Sequence, residues 1–148
     1  MEQKEKQILV SLGTSILTMI FYWMYVYRHQ VVMNPDTLNN FQFWGKTLLI
    51  FIPVAIVAQI IIHILFAIVN KIFTNEDMQD KSDERDKLIE LKAIRISHWI
   101  FITGFFMAML SQAISLAPSV MFISLIVAGF ASAVISDIAK IFMYRRGV

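Results

Sequence analysis

Long apolar runs broken by short polar stretches set the pattern of this chain. Four runs reach the ~20 apolar residues that a helix needs to cross a bilayer. They lie at about 8–27, 47–69, 96–116 and 120–142. The pattern therefore predicts an all-α fold, a four-helix transmembrane bundle, in one integral membrane domain over residues 1–148. "LAPS", Leu116 to Ser119, separates the last two runs. A proline in so short a connection reads as a hairpin turn.

The exception to the pattern is "DKSDERDKLIELKAIRIS", residues 80–97. It is wet, rich in helix formers, and abuts the third run. Ser82 or Asp83 is placed to cap a helix whose first turn holds Glu84 and Asp86. From there to Leu116 only Gly104 interrupts the helix formers. The third helix is thus expected to start in the cytoplasm, as a charged helix over about 76–95, and to continue into the membrane. Asp83, Asp86 and Glu90 fall in one sector at helical spacing, and Asp83 and Lys87 form an i,i+4 pair. Leu88, Leu91 and Arg95 form one row, while Ile89, Ala93 and Ile96 form another. Leu88, Ile89, Leu91 and Ile94 are too apolar for a helix with water all round. A partner helix, lipid headgroups or a second copy of the chain should cover them.

"DERDKLIELKAIRIS", residues 83–97, resembles the signature of small prokaryotic four-span membrane proteins of unknown function. Their D-E-R-x-x-x-I-x-x-K-A motif precedes a transmembrane helix and is matched here by Asp83, Glu84, Arg85, Ile89, Lys92 and Ala93. The resemblance implies a bacterial-type membrane topology and no activity.

Composition agrees with lipid as the solvent. The chain is 57% hydrophobic and 16% charged, with mean hydropathy +0.64. Soluble domains need more polar residues on their outside. With no cysteine, thiol catalysis, disulfides and palmitoylation are excluded. The first run is too long for a signal peptide and lacks small residues at a cleavage site, so it reads as a retained anchor.

Lysine and arginine give the orientation. Lys4, Lys6, Lys71, Lys81, Arg85, Lys87, Lys92, Arg95, Lys140, Arg145 and Arg146 fall on one side; only Arg28 and Lys46 fall on the other. The positive-inside rule puts both termini in the cytoplasm, in the cytoplasmic (inner) membrane. Tyr22, Trp23, Tyr25, Tyr27, Phe41, Phe43 and Trp44 sit where an outer aromatic belt belongs. In the loop between these two groups, Asn34-Pro35-Asp36 signals a turn.

Two groups of residues carry candidate chemistry. One is the cytoplasmic set Asp83, Glu84, Arg85, Asp86 and Glu90, a candidate protein-binding face. Its plain alternative is a solvated face, since carboxylates on one helix seldom complete a cation's oxygen shell. The other is Gln59, His63 and Asp137, ionisable or polar residues inside the apolar runs, where such groups are functional candidates. A His63–Asp137 pair would allow proton switching. The plain alternative pairs Asp137 with Lys140 or Arg95 and gives His63 one interhelical hydrogen bond. The ridges Ala128-Ser132-Ser136 and Gly104-Ala108-Ser111-Ser115 fit close helix packing, and Pro53 is expected to bend the second helix.

No phosphate loop, metal-ligand spacing or nucleophile motif appears, so no enzyme, metal or cofactor is expected. The basic residues follow the membrane rule and imply no nucleic acid. Two functions remain. One is a non-enzymatic membrane protein that presents its charged helix to a cytoplasmic protein partner or to itself as a homodimer or higher oligomer, in an accessory, sensor or immunity role. The alternative is a small proton- or cation-coupled transporter or channel acting as an oligomer.

Overall fold

The computed structural model describes residues 3–74 and 83–146. Residues 76–82 of the expected charged helix, Lys81 and Ser82 among them, lie outside the described residues. The described chain is helical throughout, with no strand. Its long helices are α1 (Gln3–Val26), α2 (Phe41–Thr74), α3 (Glu84–Ala113) and α4 (Pro118–Arg146). Each is long and apolar enough to cross a membrane.

α3 runs unbroken from the charged segment into the apolar one. Asp83 caps it in a full capping box: its carboxylate accepts from the Glu84 N–H at 2.7 Å, and Asp86 accepts from the Asp83 N–H at 2.9 Å. The opposite end of α3 closes in a Schellman turn. Ser115, at φ 61°, is the left-handed residue, its N–H donating to Gln112 and that of Leu116 to Ser111, both at 3.0 Å. Ser115 is therefore a turn residue, exposed, and does not continue the small-residue ridge expected of it. Glycine usually fills this position because a Cβ there costs roughly 1 kcal/mol. Ser115→Gly should raise stability by about that amount, seen as a higher melting temperature in detergent.

The ridge itself is real up to Ser111. Ile89, Ala93, Ala108 and Ser111 of α3 are buried, as are Ala128, Ser132 and Ser136 of α4. Ile89 and Ser111 stand two eleven-residue steps apart, with Ile100 between them. This spacing of three turns keeps the seam on one side of the helix. α1 packs between α2 and α4, so the helices follow the order α2, α1, α4, α3. α2 is the most exposed: Leu49, Ile56, Ile60, Ile64 and Ile68 all face outward, as a lipid-facing helix should. It continues through Pro53.

The connection from α1 to α2 is ordered by its aromatic residues. A π-helical turn, Tyr27–Val31, leads to a 3₁₀ turn, Pro35–Asn39, at the expected turn signal. Asn40 then caps α2 by accepting from the Gln42 N–H at 2.9 Å. Trp44 is 3% exposed. Its indole N–H donates to the Leu38 carbonyl at 2.9 Å, and its ring stacks on Phe122 at 5.7 Å. Trp23 lies beside it, Phe51 packs on Trp23 and Tyr22, and the Tyr22 hydroxyl donates to the Thr47 carbonyl at 2.6 Å. Of the aromatics expected in the outer belt, Tyr22, Trp23 and Trp44 pack with Phe51 and Phe122 into a cluster that joins α1, α2 and α4, while Tyr25, Tyr27 and Phe41 are exposed. The Trp44 N–H thus has the partner that a buried indole needs.

Candidate functional site

Two places in this bundle gather polar groups from several helices. The first lies where α1 and α3 begin and α4 ends. Asp86, in the first turn of α3, is its centre. One carboxylate oxygen accepts from the Lys4 ammonium of α1 and from the Asp83 N–H; the other accepts from the Tyr144 hydroxyl of α4 at 2.8 Å. The Lys4 hydrogen bond is the main reason the Asp86 carboxyl falls from 3.8 to about 2; partial burial opposes it, and the Asp83 N–H and Tyr144 hydroxyl add to it. Arg85 donates to the Tyr144 carbonyl at 3.1 Å, with its guanidinium 6.0 Å from that ring. Glu5, 6% exposed, lies 3.8 Å from Arg145. The start of α1 and the end of α4 thus meet at one end of the bundle.

This junction divides the five residues expected to bind a partner. Asp83 starts the helix, while Asp86 and Arg85 turn inward to α1 and α4. Glu84 and Glu90 stay exposed. The acidic sector is therefore not one free stripe. Lys4 and Tyr144 could not be read from the sequence as its partners, since they stand 82 and 58 residues from Asp86.

The second place is inside the apolar region. Gln59 of α2 donates to the Ser15 hydroxyl at 2.7 Å and to the Ser11 carbonyl at 3.2 Å, both on α1. Its Oε1 is sealed and has no partner. Asp137 pairs with Lys140 one turn along α4, at 3.1 Å. Among the described residues no hydrogen bond or ion pair joins His63 to Asp137 or to Gln59. The three expected polar residues are thus not brought together: Gln59 belongs to the α1–α2 contact and Asp137 to its own helix.

Gln59 also lines a cavity of about 600 Å³ between α1, α2 and α4, with Ser15, Thr18, Phe51, Phe130 and Ala133. A second hollow of about 450 Å³ lies against the aromatic cluster, lined by Trp23, Tyr27, Phe43 and Trp44. Both hollows are bounded by Met19 and Ile126. Neither was legible in the sequence, because a void depends on how far helices stand apart.

Among known families, the model for the serpentine type 7TM GPCR chemoreceptor Str matches residues 3–103. The chain belongs to this family. The match takes in α1, α2 and most of α3. A polytopic membrane protein of the serpentine chemoreceptor family thus stands where the motif of residues 83–97 had implied a prokaryotic family, and the match carries no support for that motif or origin. The Str description names seven transmembrane helices, and the described residues hold four. No curated protein and no solved structure matches the chain.

Proposed function

We propose that this chain is a non-enzymatic membrane protein of receptor or sensor type, with both termini in the cytoplasm, that presents the first third of α3 to a protein partner or to a second copy. One observation carries this reading. That segment buries Ile89 and Ala93 against α4, yet on its opposite side Leu88, Leu91 and Ile94 are 58%, 63% and 54% exposed. Glu84, Lys87, Lys92 and Arg95 surround them, all exposed. The lysines and arginines at this end favour the cytoplasmic side, where lipid tails cannot cover the three apolar residues. An apolar stripe with a charged rim is the composition of a protein contact. The contact is therefore assigned to the Leu88–Leu91–Arg95 row, with Glu84 at its start, and not to the inward-turned Asp86. The transport alternative has less support, since Gln59, His63 and Asp137 do not converge.

The absence of cysteine makes the test direct. Leu91→Cys in native membranes should react with an impermeant maleimide only after the membrane is opened. A bifunctional maleimide should then give a defined adduct, either a dimer or one with a discrete partner. Adding Leu88→Lys should cut the yield at least fivefold. If Leu91→Cys gives no more adduct than lipid-facing Ile56→Cys, the reading fails.

A further inference from the structure

We propose that the partner of the outward face of α3 is an acidic amphipathic helix, with an apolar stripe edged by carboxylates, and not a second copy of this chain. The inference rests on the reading of Leu88, Leu91 and Ile94 as a contact face, and it names what covers them. The charges around that face decide between the occupants. Leu88, Leu91 and Arg95 follow at spacings of three and four, so they lie in one row. Lys87 and Lys92 flank the two leucines, one on each side. Glu84 opens the row and is the one acid in it. Glu90 falls outside the face, on the Asp86 side of the helix. Lys87, Lys92 and Arg95 are exposed, and none makes a side-chain hydrogen bond or ion pair among the described residues. The face therefore offers three unpaired cations and one acid around an apolar centre.

A second copy meets this pattern badly. Two copies in one membrane insert in the same direction, so a symmetric contact through this face sets the two α3 helices parallel. Parallel pairing puts Lys87 of each copy opposite Lys92 of the other, and sets Glu84 and Arg95 against their own images. Every charged pair is then like with like, which opposes association. An anionic leaflet fits no better. Ile89 and Ala93 are buried, and Asp86 is held by Lys4 and Tyr144. The segment thus stands along the bundle and cannot lie in the interface plane as a membrane-binding helix does. Lys87 and Arg95 are also about 12 Å apart along the axis, too far for one phosphate headgroup. A helix with carboxylates on both edges answers all three cations at once.

The probe is a designed three-heptad helix with leucine at a and d and glutamate at e and g, whose glutamates keep it from pairing with itself. One control carries lysine at e and g; another has the same composition as the probe with its stripe scrambled. The full chain is placed in nanodiscs of neutral phosphatidylcholine, and the anisotropy of the labelled peptide is followed. The glutamate helix should bind saturably, and both controls at least about tenfold more weakly. Reversing the three cations together, Lys87→Glu with Lys92→Glu and Arg95→Glu, should exchange the preference, so that the lysine helix binds and the glutamate helix does not. Such a gain of binding cannot come from misfolding. If the triple variant does not insert, Lys92→Glu alone should lower affinity for the glutamate helix and raise it for the lysine helix, each about twofold. In native membranes the glutamate helix should also protect Leu91→Cys from maleimide. Equal binding of the glutamate and scrambled helices overturns the proposal, as does a cross-linked dimer that the glutamate helix leaves intact. Loss of peptide binding when phosphatidylserine is added would assign the cations to lipid headgroups and overturn it as well. If Leu91→Cys gives a defined adduct while the glutamate helix does not bind, the contact face stands and the acidic partner falls. If both fail, the face itself falls.

Discussion

Gly104→Ala is expected to lower the stability of the α3–α4 hairpin by about 2 kcal/mol, although alanine is the better helix former. The two effects can be weighed. In an exposed helix the exchange gains up to ~1 kcal/mol. Here a methyl at Gly104 would overlap the Ala128 Cβ, and the Ala128 Cα lies 3.3 Å from the same point. The obstacle is backbone and a side chain with no torsion to turn, so relief requires the helices to separate. Overpacking of this kind costs typically 1–3 kcal/mol, occasionally more. Separation would also loosen Ala93, Ala108 and Ser111 against α4, and dispersion is most of what holds membrane helices together. Gly129 is the control: a Cβ there meets nothing within 4 Å, so Gly129→Ala should be neutral or mildly stabilising. Adding Ala128→Gly to Gly104→Ala should restore much of the loss, as expected for two residues in direct contact. Thermal unfolding in detergent measures all four proteins. A neutral Gly104→Ala would show that the seam does not hold the hairpin.

These two glycines also show what the sequence could and could not convey. Gly104 opens one small-residue ridge and Gly129 stands beside the other, next to Ala128, and spacing alone cannot tell which glycine a neighbour requires. The helices were legible because lipid demands a run of apolar residues and a capped backbone, and both conditions are local. Asp83 was readable as a cap for the same reason. Trp44 was not readable as buried: aromatics near a helix end satisfy a membrane surface or a core equally well, and the Phe122 ring that decides the matter comes from α4. The polar residues followed the same rule. Lys140 lies one turn from Asp137, so that pair could be anticipated. Gln59 finds Ser15 across 44 residues, and no periodicity reports such a meeting.

Asp86→Ala should be the most damaging exchange at the other end of the bundle, with a loss of about 2 kcal/mol. One carboxylate completes the cap of α3 and holds both Lys4 and Tyr144, so its removal frees three donors from three helices. Asp86→Asn keeps the shape and loses the charge, which separates geometry from electrostatics. The charge predicts a pH dependence with a definite sign. The carboxyl titrates near 3.8 when unfolded and near 2 when folded. Because the folded value is depressed, its contribution is fully present above about pH 4. It declines as protons bind the unfolded chain first, and is gone once pH falls through 2. The stability gap between the parent chain and Asp86→Asn should therefore be constant from pH 7 to about 5, narrow between 4 and 2, and close below that. Tyr144→Phe, which removes a neutral donor, should cost less and leave the window in place. Lys4→Met should shift the window upward, since the Lys4 hydrogen bond is the largest cause of the depressed value. A gap that does not change between pH 5 and 2 would mean that Asp86 holds α1, α3 and α4 together by shape alone, with no contribution from its charge.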